Sequence, residues 1–245
     1  MKIAIVTDST SYLSEEEAEK YNITVVPMPV IIDGREYHEG QDITTEEFYD
    51  KLTTSKSFPS TSQAPVGEMI NVYNSLADKG YDTVISIHLA STISGMYNSL
   101  VSIAPTIERI KVIPYDSQIT VKLMGYLAIQ ASKMAALDRT PEEIINYLDG
   151  LRATFDELFV VDDLQNLVRG GRLSNASAFI GGLLKIKPLL TFDDDSHEIV
   201  AIEKIRSRKK ALKRVEAKFA EAKANAEYPL RGLIIDGDDP KAGEE

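Results

Sequence analysis

The chain has 245 residues, 43% hydrophobic and 27% charged, which is enough for one large or two modest globular domains with a buried core. Its net charge of −11 argues against general binding to nucleic acid or to a membrane surface. The absence of cysteine excludes disulfides, thiolate metal sites and a cysteine nucleophile, and three histidines are a poor basis for a zinc site. No run approaches the ~18 apolar residues of a membrane span. Met1-Lys2 leads directly into a strand-like run instead of a secretory signal, so the sequence reads as cytoplasmic.

In chain order, Ile3–Val6 is an apolar strand that ends in Thr7-Asp8-Ser9-Thr10-Ser11, and Ser14 followed by Glu15-Glu16-Glu17 opens a helix. Thr24–Ile32 is a second apolar run, which Pro27 and Pro29 mark as an edge or bulged strand. Asp33-Gly34 predicts a turn with Arg35-Glu36-Tyr37 pairing back, and Thr44-Thr45-Glu46-Glu47 opens a short helix through Leu52. Pro59-Ser60-Thr61-Ser62-Gln63-Ala64-Pro65 is a hydroxyl-rich loop stiffened by two prolines, ahead of a helix carrying Met69, Ile70, Tyr73 and Leu76.

Thr83–Leu89 has the composition of a buried parallel strand, and Met96–Ala104 has helical spacing. Between them lies Ala90-Ser91-Thr92-Ile93-Ser94-Gly95. A strand that ends in small hydroxyl residues and opens a helix directs unpaired N–H groups at one spot, made mildly positive by the helix dipole. The plainer reading is that Ser91 or Ser94 merely caps the helix. Lys111–Tyr115 is a further strand, ending in Asp116-Ser117, and helices follow at Gly125–Leu137 and from Thr140 to about Phe155. Three strands thus end in hydroxyl-bearing loops, and in open α/β sheets the ligand crevice lies at the carboxyl ends of the strands. Convergent hydroxyls with neither GxxxxGK[ST] nor GxGxxG suggest hydrogen-bonded capture of a small polar group, not phosphoryl transfer by this chain.

From Leu158 the pattern changes. Phe159–Asp163 is a strand, and Arg169-Gly170-Gly171-Arg172-Leu173-Ser174 interrupts a helical stretch. Ala176–Leu184 is an apolar segment, followed by strands at Leu189–Phe192 and Glu198–Ile205. The acidic run Asp193-Asp194-Asp195-Ser196-His197 reads as a solvated hairpin turn more than a metal site. Arg206–Arg214 is a basic cluster that continues as a polar helix to Ala226, and Leu230–Ile235 reads as a last strand before an acidic tail.

Thr7-Asp8-Ser9-Thr10-Ser11, Pro59 to Pro65, Ser91 to Ser99, Asp116-Ser117, Gly170 to Ser174, Ile186-Lys187-Pro188 and Arg206 to Ala211 together resemble, in order and over nearly the whole chain, the DegV family of bacterial fatty-acid-binding proteins. The resemblance implies a two-domain α/β fold. Residues 1–155 would form a three-layer α/β/α domain with a parallel sheet. Residues 156–245 would form a two-layer domain with a mixed sheet, truncated at its C-terminal end, since family members run on to a strand with a Gly-and-His-containing segment beside the head group.

It also implies one long-chain fatty acid in a tunnel between the domains, with the carboxylate presented to a separate ATP-dependent fatty acid kinase that makes an acyl phosphate for phospholipid synthesis. By the same resemblance Thr61 and Ser94 bind the carboxylate, with the Gly95 amide, Ser62 and Ser117 beside them, and Arg169 and Arg172 face the phosphate or the kinase. No metal or cofactor is implied for this chain, because ATP and Mg belong to the kinase. Met96 departs from the family, which usually has a small hydroxyl residue there.

Two alternatives belong to other classes. One is a serine hydrolase using Ser94 or Thr61 with His88 as base, although there is no GxSxG elbow and no acid obviously placed to orient His88. The other is a substrate subunit like that of dihydroxyacetone kinase, which needs a histidine to anchor its substrate covalently.

Overall fold

The computed structural model describes residues 1–174 and 186–237. The apolar segment Ala176–Leu184 and the closing acidic tail from Asp238 lie outside the described residues. Two compact units divide the chain, Met1–Phe155 with the residues from Ile234 on, and Asp156–Leu233.

The first unit is built on a four-stranded parallel sheet. Its strands are β1 (Ile3–Asp8), β2 (Ile23–Val26), β6 (Thr83–His88) and β7 (Lys111–Asp116), in the order β2-β1-β6-β7. All six residues of β6 are buried, as are the last five of β1. Both faces of the sheet are therefore covered, which is why these strands read as continuous apolar runs. Helix α5 (Val121–Ala136) packs on β1, β2 and β6, and α6 (Pro141–Arg152) packs on α5. Helix α4 (Met96–Ile103) packs on β7 and on α3 (Val66–Asp78). The approach of α5 to the short 3-10 turn Ser9–Ser11 after β1 is close: a Cβ on Gly125 would strike the carbonyl oxygen of Ser11, so a side chain there would force helix and turn apart.

The helix starts follow local chemistry. In α1 (Glu15–Lys20), α2 (Thr45–Thr54) and α6 the preceding Ser14, Thr44 and Thr140 accept the N–H of Glu17, Glu47 and Glu143, whose carboxylates reach back to the cap. Such caps contribute ~1 kcal/mol each.

The run Thr24–Ile32 forms two strands, not one. Pro27 cannot donate to a ladder, and the next amide, Met28 N–H, is taken by Ser9 Oγ at 3.0 Å. Beyond this break β3 (Pro29–Ile32) joins a separate antiparallel sheet with β4 (Arg35–His38) and the short β5 (Ser60–Thr61), in the order β4-β3-β5.

In the second unit β8 (Phe159–Val160), β9 (Leu189–Phe192) and β10 (Ile199–Glu203) pair antiparallel in the order β10-β9-β8, with α8 (Arg208–Asn225) against β8. The short helix α7 (Gln165–Arg169) precedes Gly170. Asp193 closes the β9–β10 hairpin by accepting the N–H groups of Asp195 and Ser196. Leu230–Ile235, expected as a strand, joins no described ladder, and Ile234 is 82% exposed. An apolar pattern favours a strand only when a neighbour supplies the hydrogen bonds.

Candidate functional site at the strand ends

The carboxyl ends of three neighbouring strands bring the hydroxyl-bearing loops to one edge of the parallel sheet. Register places His88 beside Asp116 on β7, and β1 runs on β6's other side. Asp116 ties two loops together, because its Oδ1 accepts Ser91 N–H at 3.1 Å and Gln118 N–H at 2.9 Å. Arg152 holds the second of these loops, with Nε on the Ser117 carbonyl and Nη2 on that of Gln118. Gln118 and Val121 both take left-handed backbone angles, φ 56° and 52°. That is a strained choice for the β-branched Val121 and fixes the loop's path into α5.

Ser94 is half-buried at the start of α4, whose N-cap is Gly95 with no side-chain cap bond. The Ser94 hydroxyl accepts the Met96 N–H at 3.2 Å, and its own hydrogen has no acceptor among the described residues. It therefore caps one amide and keeps a donor for a ligand. The helix after Pro65 likewise has no side-chain cap, so capping does not account for the hydroxyls of the Pro59–Pro65 loop.

That loop is held as β5 on β3, with Ser62 N–H on the Pro29 carbonyl at 3.0 Å. Thr61 is exposed and its hydroxyl has no partner among the described residues. Ser62 is also exposed, and its hydroxyl donates to the Gln63 carbonyl. Gln63 links the Thr61 loop to the Ser94 loop by donating from Nε2 to Ser99 Oγ at 2.8 Å. Ser117 is fully buried, and its hydroxyl donates to the Ile119 carbonyl, so it shapes its turn from within.

A polar chain that the sequence reading missed lies beneath this edge. His88 Nδ1–H donates to Asp8 Oδ2 at 2.7 Å, and both side chains are fully buried. On the other side of the ring Nε2 lies 2.8 Å from Ser86 Oγ, which lies 2.8 Å from the Tyr73 hydroxyl. With the Nδ1 hydrogen on the carboxylate, Ser86 donates to Nε2 and Tyr73 donates to Ser86. Burial pushes the Tyr73 phenol far above its ordinary value and keeps it a donor. The other oxygen of Asp8 accepts the Thr10 N–H and hydroxyl, anchoring the loop after β1. An acid is thus placed to orient His88 after all. It lies 80 residues away, and only the β1–β6 register reveals it.

In the second unit Arg169 is exposed and hydrogen-bonds Gln165, while Arg172 is half-buried, its guanidinium folded over Gly170. Asp162 is paired with Lys187 at 2.9 Å and Arg208 at 3.6 Å, and the Lys187 hydrogen bond draws its carboxyl below the ordinary range. Within the basic cluster, Arg214 is engaged by Glu203. Among the described residues no three His, Asp or Glu converge as metal ligands, and no helix is long and apolar enough to cross a membrane.

The fold and this edge define a class: two-unit α/β proteins with a hydroxyl-lined rim on a parallel sheet. A family model described as "Uncharacterised protein, DegV family" matches residues 2–244. A DegV domain-containing protein of Listeria innocua is 45% identical over 245 residues, 99% of this chain and 85% of that protein. The crystal structure of DegV, a fatty acid binding protein from Bacillus subtilis, superimposes with a TM-score of 0.83 at 41% identity, covering 91% of this chain and 79% of that one. A fatty acid binding DegV family protein from Streptococcus agalactiae gives 0.84 at 36% identity, covering 93% and 80%. The chain belongs to the DegV family.

Proposed function

We propose that this protein binds a long-chain fatty acid by its carboxylate and, in the cytoplasm, presents that carboxylate to a separate ATP-dependent kinase for acyl-phosphate formation, with no covalent chemistry of its own. The observation that carries the first part is the state of two hydroxyls. Ser94 accepts a helix N–H and retains its own donor, and Thr61, whose loop is tied to α4, has no partner among the described residues. A carboxylate needs such donors and needs no lysine, and the Gly95 amide at the positive end of α4 adds to them. In this reading Ser62 lies beside the head group, Ser117 supports the loop, and Arg169 and Arg172 serve the transferred phosphate or the kinase. The description of the Bacillus and Streptococcus relatives as fatty acid binding agrees with it.

The His88 chain works against both alternatives. Each ring nitrogen is already engaged, by Asp8 and by Ser86, and the ring is fully buried. It has no nitrogen with which to activate Ser94 or Thr61, or to hold a substrate covalently. Ser86, the hydroxyl it does meet, is sealed inside β6. Denaturing extraction of the purified protein followed by mass spectrometry tests the proposal. A fatty acid at about one per chain is expected. Protein that carries none and shows no thermal shift with palmitate or oleate would overturn it.

A further inference from the structure

Gln63 occupies an unusual place. Its Nε2 donates to Ser99 Oγ at 2.8 Å, while its Oε1 lies only 2.6 Å from the point where a side chain on Gly95 would begin. Gly95 and Ser99 are one helical turn apart and joined by the Ser99 N–H to Gly95 carbonyl bond. One side chain from the proline-bracketed loop therefore lies along the whole first turn of α4. Its own backbone is fixed on both sides: Ser62 N–H holds Pro29, and Ala64 is buried at 1% exposure. Thr61 stands two residues before this clasp and Ser94 one residue before its far end.

We infer that Gln63 is the positioning residue that makes the two hydroxyl loops one site. It sets the separation between Thr61 and Ser94, and Gly95 is glycine because the Gln63 amide oxygen needs the space of its Cβ. Packing alone does not require an amide: an apolar side chain of the same length would fill the gap, but it would leave Ser99 unpaired and the loop free to shift. Held donors bind a carboxylate better than mobile ones, since the cost of ordering them is met before the ligand arrives. This inference rests on the proposed fatty-acid reading for its effect on affinity, and on geometry alone for its effect on loop order.

Two measurements on the full chain separate these. Hydrogen exchange of wild type, Gln63→Ala and Ser99→Ala is followed at residues 60–63 and 94–97, and palmitate affinity is measured for the same proteins. Both variants are expected to exchange faster in those two segments and nowhere else. Gln63→Ala is expected to bind palmitate about tenfold more weakly, the effect of displacing one of the two hydroxyls, Thr61 or Ser94, from its hydrogen bond to the carboxylate. Gly95→Ala is expected to weaken binding in the wild type and to add no further loss in Gln63→Ala, because the clash it makes is with Gln63 itself. A filler role predicts a lower melting temperature with unchanged local exchange and affinity, and that result would overturn the inference. If wild type binds no palmitate, the fatty-acid reading falls, and the exchange data still decide the clasp. If Gln63→Ala fails to fold, Ser99→Ala decides it by the same exchange readout.

Discussion

Asp8 and His88 stand on neighbouring parallel strands with carboxylate and imidazole 2.7 Å apart, both wholly removed from water. A buried carboxylate is tolerable only if its hydrogen bonds are met, and here Thr10 and His88 meet them. Replacing His88 by Ala removes one donor and leaves the charge stranded. The expected loss is about 3–5 kcal/mol in urea unfolding, the range for breaking one side of a buried ion pair or charged hydrogen bond. Ser86→Ala leaves Asp8 fully bonded but unpairs the neutral Nε2 and the Tyr73 hydroxyl, and is expected to cost less, about 1–3 kcal/mol. Equal effects of the two would mean that the carboxylate is not the centre of the chain.

This pair also shows where sequence reading stops. The caps of Ser14, Thr44 and Thr140 are legible because cap and partner are three residues apart. The hydroxyl loops after β1, β6 and β7 are legible because strand ends have local signatures. Asp8 and His88 each look like ordinary residues, and only the strand register brings them level. Gln63 stands within a quoted motif, yet the direction of its side chain depends on where α4 packs. Leu230–Ile235 differs for the opposite reason: its apolar pattern is strong, but its pairing depends on a partner that no pattern names. Pro27 and Pro29 mark an edge or bulged strand by pattern, whereas the chain switches between two sheets there, which only the pairing partners decide.

Thr61→Ala and Ser94→Ala are expected to weaken palmitate binding by about tenfold or more each, since hydrogen bonds to charged groups are worth about 1.5–3 kcal/mol. Ser94→Ala also frees the Met96 N–H and should lower stability by ~1 kcal/mol, whereas Thr61→Ala should not. Isothermal titration with circular dichroism as control measures both. Unchanged affinity in both variants would leave Ser94 as a partial cap and nothing more.

Glu39 gives a pH signature of opposite sign to the capping glutamates. Burial raises its pKa, the Ser9 hydroxyl pulls it back in part, and the nearby Asp8 charge raises it again. A raised folded pKa means that the native state holds the proton more tightly than the unfolded chain. The stability it contributes is fully present below the unfolded pKa and is lost as pH rises through the folded one. Glu17, Glu47 and Glu143 are lowered, so their contribution is lost as pH falls. The difference in unfolding free energy between wild type and Glu39→Gln cancels those terms. It is expected to fall with rising pH just above the ordinary glutamate range. A flat difference across that interval would show that Glu39 is as readily ionised folded as unfolded.

The arginines of the second unit should separate binding from turnover. Arg169 and Arg172 flank Gly170-Gly171 in a chain whose net charge is −11, where a local basic site is held against the general field. Arg169 is exposed and Arg172 half-buried. Exposed charge pairs contribute little to stability, so alanine at either position should leave the melting temperature and palmitate affinity close to wild type. If the two arginines meet the kinase or the transferred phosphate, Arg172→Ala and Arg169→Ala should nonetheless slow ATP turnover by kinase with loaded protein. The defect should depend on salt, because screening weakens an electrostatic encounter in the wild type while the variants have less to lose. The assay is run at two ionic strengths with fatty-acid loading verified beforehand. Full turnover by both variants at both strengths would remove these residues from the site and leave Thr61 and Ser94 as its functional side chains.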